Sequence, residues 1–102
     1  MAGVGKLMKQ AQKMQRQIES LQDELAETQF DVSSGGGAIN IKVNGAGRFL
    51  SLNIDEEFLK EDKEMVEQAL LAAFQEAATK AKEYNETEMQ KVTSGFNMPG
   101  MF

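Results

Sequence analysis

Lys6, Lys9, Lys13 and Arg16 stand three, four and three residues apart, a spacing that on an α-helix gathers the four side chains into an arc of roughly 80°. A stripe of cations is suited to neutralising a polyanion, above all the phosphate row of a nucleic acid. It is not suited to most catalysis, and the rest of the chain offers little help. Histidine, cysteine and tryptophan are all absent. Without imidazole or thiol there is no Ser-His-Asp or Cys-His nucleophile, no ordinary structural zinc site and no disulfide. Catalysis would have to rest on carboxylates, lysines or hydroxyls. No such constellation is evident, so no enzyme, cofactor, metal or small-molecule substrate is expected.

The net charge of −5 taken alone argues against a polyanionic partner, but the charges are arranged in blocks. Residues 1–18 carry the four cations and no acid, whereas residues 19–31 carry Glu19, Asp23, Glu24, Glu27 and Asp31 and no base. Residues 55–76 hold eight acids against two lysines. The positive charge is therefore local, and it opposes the structure it sits on. Cations at a helix N-terminus work against the macrodipole by about 0.3–1 kcal/mol. Like-charged neighbours at i,i+3 and i,i+4 bring the penalty to the order of 1–2 kcal/mol, and the acids that follow stand at the wrong end of the helix as well. A local preference broken without visible compensation points to function, and a polyanion would relieve the repulsion. A merely solvated helix face is the other interpretation of the same stripe.

The elements that would position these residues follow from periodicity. Val4, Leu7, Ala11, Met14, Ile18, Leu21 and Leu25 alternate spacings of three and four, an unbroken heptad seam. It predicts a helix over about 4–27, roughly 36 Å long and too long for a small domain to cover from end to end, so part of it should project. The seam is centred about 150° from the cations, which places them at outer heptad positions. The side chains able to reach across the seam are mostly Gln10, Gln15, Gln17 and Gln22, so ion pairing with a partner helix is a poor explanation for the stripe.

From Thr28 the period becomes two. Thr28, Phe30 and Val32, then Ile39, Ile41 and Val43, then Leu50, Leu52 and Ile54 predict three half-buried strands within about 28–54. Ser33 to Gly37 and Asn44 to Gly47 have hairpin chemistry, giving an antiparallel meander. Asp55 to Asp62 forms a turn with one helical turn at Phe58 and Leu59, its acids suiting the start of the next helix. A second long helix is expected over about 62–94, with Met65, Val66, Ala69, Leu70, Ala73, Phe74, Ala77, Ala81 and Tyr84 as apolar positions and Gly95 as its stop. Residues 95–102 read as an apolar tail, docked on a partner surface or loose. At 102 residues this is one α+β domain. Three short strands leave two unpaired edges and the projecting seam lies uncovered, so a homodimer is expected. No stretch is long and apolar enough for a membrane span and no apolar block follows the early lysines, so a cytoplasmic location is expected.

Other features carry less. Ser33, Ser34 and Gly35 to Gly37 lack the Lys-Ser/Thr of a phosphate-binding P-loop and precede no helix, so they read as a turn. Asp55, Glu56, Glu57, Glu61 and Asp62 lack calcium-loop spacing and read as helix-start acids. Met14 and Met65 lie on apolar helix faces and read as packing residues.

The run Leu7, Met8, Lys9, Gln10, Ala11, Gln12, Lys13, Met14, Gln15 closely resembles the opening of the YbaB/EbfC family of bacterial nucleoid-associated proteins. Val43, Asn44, Gly45 resembles that family's strand-turn signature. Ile54, Asp55, then Asp62 to Met65, then Ala72 to Phe74 resemble its second-helix region, and Gly95 with Pro99 and Gly100 its tail. The resemblance implies an α-β-β-β-α subunit, a dimer joined through the sheet, and long helices projecting like tweezers to bind double-stranded DNA at the nucleoid. It places the DNA-binding role on Lys6, Lys9, Lys13 and Arg16, with Lys80, Lys82 and Lys91 as lesser candidates. The expected function is thus a DNA-binding protein that positions itself through phosphates with low sequence specificity. The alternative is a protein-interaction module that uses the heptad seam, Ile18 and Leu21 included, and the apolar tail.

Overall fold

A computed structural model of the chain describes residues 2–94; the expected apolar tail lies outside them. The elements are α1 (Ala2–Glu27), β1 (Gln29–Ser34), β2 (Ile39–Asn44), β3 (Phe49–Ile54), a single-turn helix α2 (Glu56–Leu59) and α3 (Lys63–Ser94). The strands form an antiparallel sheet in the order β1-β2-β3, with Val32, Ile41 and Leu52 in register across it. This is the α+β, α-β-β-β-α arrangement that the periodicity predicts.

The period of two sorts the sheet into an apolar and a polar face. Val32, Ile39, Ile41 and Val43 are buried beneath α3, while Asp31, Ser33, Asn40, Ser51 and Asn53 face outward and are exposed. Against the strands α3 sets Ala73, Ala77 and Ala81, four residues apart and almost wholly buried. With only methyl groups on that stripe the helix axis can approach the sheet closely, and the larger Phe30, Phe58 and Phe74 seal the margins.

Three expectations are corrected here. The alternation expected through Leu50, Leu52 and Ile54 is interrupted. Lys42 pairs with Ser51 but Val43 pairs with Phe49, so Leu50 is the additional residue of a bulge. The slip returns Phe49 to the core side, where its ring meets Phe74 edge-on at 5.0 Å. Moreover α3 lies over β1 and β2 and reaches β3 only at its margin, where Phe74 meets Phe49. Leu50 and Leu52 are 41% and 48% exposed, so the third strand is not half-buried as the first two are. Met65, expected to pack, is 51% exposed.

The base of α1 is held by the turn between β2 and β3. Asn44 is buried, its Oδ1 accepting hydrogen bonds from the backbone N–H groups of Ala46 (3.1 Å) and Arg48 (2.9 Å) while its Nδ2 donates to the carbonyl of Ala26 (3.2 Å). Gly45 donates its N–H to the carbonyl of Thr28 at 2.9 Å. A Cβ on Gly45 would stand 2.9 Å from the Leu25 carbonyl oxygen, so only glycine lets the turn come this near to the helix. Asn44→Ala would strand two backbone donors and one acceptor. Urea unfolding is expected to show a loss of about 2–4 kcal/mol, and an unchanged midpoint would dismiss this clamp.

Above the clamp, Leu21 and Leu25 are buried, and Gln17, Ser20, Leu21 and Glu24 share a groove with Glu88, Lys91 and Val92 of the antiparallel α3. The heptad seam is therefore satisfied within the subunit over its second half and needs no partner there. Val4 and Leu7 remain more than half exposed on the first half of α1, which projects from a molecule with principal extents of 71 × 24 × 15 Å.

Candidate functional site

The first four turns of α1 present Lys6, Lys9, Lys13 and Arg16, all exposed. Because one uninterrupted helix carries them, their relative placement is fixed by helical geometry, along about 15 Å of axis from Lys6 to Arg16. The ion pairs among the described residues are Lys60–Glu57 at 3.2 Å and Lys91–Glu88 at 3.1 Å. None of the four α1 cations takes part in either. Among the described residues no acid pairs with them, and an exposed row of such cations can neutralise phosphates without first breaking internal salt bridges.

The second-helix lysines are arranged differently. Lys91 is tied to Glu88, in the groove beside Gln17 and Ser20 of α1. Lys82 lies in a hollow beside the β2–β3 turn with Gly47, Phe49 and Glu86. Lys80 and Lys82 point about 160° apart around α3, as residues two apart on a helix do. The structure thus gathers the four cations of α1 into one stripe and distributes Lys80, Lys82 and Lys91 over separate surfaces.

The glycine turn also resolves physically. Gly35, Gly36 and Gly37 all have positive φ, from 63° to 96°, in a 3₁₀ turn between β1 and β2. An open hollow of about 720 Å³ lies over this turn, with Asp55 and Glu56 in its wall and no cationic side chain. Its charge has the wrong sign for a phosphate cradle. Among the described residues no group of three carboxylates gathers closely enough to hold a metal ion.

Asn44 and Gly45 are the positioning residues that residue types and spacing did not single out by role. The asparagine reaches back eighteen residues to Ala26, a contact without local periodicity. The only sequence signal was the Asn-Gly pair at a strand end, which speaks for a turn and not for what the turn holds.

Comparison with known proteins places this geometry. The YbaB/EbfC DNA-binding family matches residues 1–96. A nucleoid-associated protein of Clostridium novyi is 47% identical over 100 residues, covering 97% of this chain and 88% of that protein. A nucleoid-associated protein of Clostridium kluyveri is 44% identical over 97 residues, covering 94% and 85%. Among solved structures, an uncharacterized protein from Helicobacter pylori superposes with a TM-score of 0.72 at 26% identity, covering 92% of this chain and 94% of that one. No helix among the described residues is long and apolar enough to cross a membrane. A family match across nearly the whole chain, close relatives and a shared fold agree: the chain belongs to the YbaB/EbfC DNA-binding family.

Proposed function

We propose that the chain acts as a cytoplasmic, nucleoid-associated homodimer whose two projecting α1 helices lay Lys6, Lys9, Lys13 and Arg16 against the phosphates of double-stranded DNA. The observation that carries this reading is the stripe itself: four exposed cations on one projecting rod, outside every ion pair among the described residues. Little of it can read bases. Lysine is a point charge toward phosphate, and Arg16 alone in the stripe has the fork for a bidentate contact with guanine, so sequence specificity is low. Lys80 and Lys82 add charge at a distance, and Lys91 adds less because Glu88 accompanies it. No catalytic role is assigned to any residue.

The dimer rests on β3. It is an edge strand with unpaired backbone groups, and it carries Phe49, Leu50 and Leu52 at 41–48% exposure. Pairing this edge with a second copy covers both liabilities at once and gives the assembly two arms.

A gel-shift titration of duplex DNA at several salt concentrations tests the proposal. With six to eight cations of a dimer on phosphates, log affinity should fall against log salt with a slope of about −5 to −7. A slope near zero would remove the phosphate contacts. Exposed Val4 and Leu7 favour one alternative, a module that captures another protein through what remains of the seam. The same titration separates the two, because such a module shows little salt-sensitive DNA binding.

A further inference from the structure

The cationic stripe does not fade along α1; it changes sign on the same face. Measured around the axis from Lys6, the four cations lie between about 280° and 360°, and Ser20 follows at about 320°. Glu27 at about 300° and Glu24 in line with Lys6 fall within the same arc, and Asp23 at about 260° borders it. All three acids are exposed, and none joins an ion pair among the described residues. The order of the blocks is also the reverse of what would stabilise the helix, since α1 has no acid in its first turn and no base in its last. Folding gains nothing from this polarity.

Building on the DNA-binding role proposed above, we infer that Asp23, Glu24 and Glu27 form an electrostatic stop that confines duplex DNA to the first four turns of α1. A duplex that continued along the face past Arg16 would bring its phosphates over three exposed carboxylates that join no ion pair among the described residues. Repulsion at that point sets how far down the arm the duplex can settle, and it keeps DNA off the α1–α3 groove and the sheet. Each arm then grips over about 15 Å near its tip, so a dimer holds DNA at two separate short contacts instead of along one continuous surface.

The test is the triple variant Asp23→Asn, Glu24→Gln, Glu27→Gln in the full chain, compared with Glu56→Gln, Glu61→Gln, Glu67→Gln. The second variant changes net charge equally but at exposed positions toward the other end of α3. Removing acids from the end of α1 favours that helix, so the first variant should fold. Its affinity for duplex DNA at low salt should rise about tenfold, the gain shrinking as salt is added, while the comparison variant stays near the native value. An equal gain in both variants would reduce the effect to net charge and overturn the stop. No gain in either would overturn it too, as would loss of the dimer in sedimentation, which would give the acids to the subunit contact. Native protein that fails to shift duplex DNA at any salt would sink the proposed function itself, and the stop with it.

Discussion

Replacing Lys9, Lys13 and Arg16 by glutamate is expected to weaken duplex binding by more than about a hundredfold, because the proposed dimer would then present six anions where it presents six cations to phosphate. The variant separates binding from folding unusually well. The three side chains are exposed and lie outside the ion pairs of the described residues, so their replacement leaves no internal partner stranded. Lys6 gains an opposite charge three residues away, which offsets part of the repulsion among the three new acids, so α1 is expected to keep about its native stability. Circular dichroism and sedimentation should report a folded protein with native assembly, and gel shifts should report the loss. Retained binding by this protein would take the site away from α1 and return attention to Lys80, Lys82 and Lys91.

How much of this was legible in the sequence depended on whether the deciding interaction was periodic. Leu21, Leu25, Val32, Ile39, Ile41 and Val43 were all marked by spacing and are all buried, because burial along regular elements repeats at the period of the element. The stripe could be located for the same reason. Periodicity did not say what covers a face. The seam looked unpartnered throughout, yet α3 covers its second half, since a helix of 32 residues folds back alongside α1 after crossing the sheet. Nor did it show that α3 reaches β3 only at its margin, leaving Leu52 open. The bulge at Leu50 was hidden because Phe49, Leu50 and Leu52 offer two apolar registers one residue apart, and the cross-strand pairing chose between them. Asn44 was readable as a turn residue and unreadable as the clamp of α1, because its partner lies in another element.

The exposed strand sets up the other large effect. Leu52→Asp is expected to convert the proposed dimer into folded monomers. In the lone subunit the side chain at this position sits on an edge strand and is 48% exposed, so a carboxylate there remains in contact with water and disturbs the core little. Within a paired apolar edge the same carboxylate would be desolvated against the apolar side chains of the second copy, which disfavours association by several kcal/mol. The DNA consequence follows from valence. Each monomer keeps a complete stripe on α1, but the second arm no longer arrives at the high effective concentration that linkage provides, so affinity should fall by about 10²–10⁴-fold. The salt slope should drop to about half, near −3, as the number of engaged cations halves. Sedimentation equilibrium and salt-dependent gel shifts on the same preparation read both quantities. A monomer that binds with native affinity and slope would mean that one arm suffices, whereas an intact dimer would move the subunit contact away from β3.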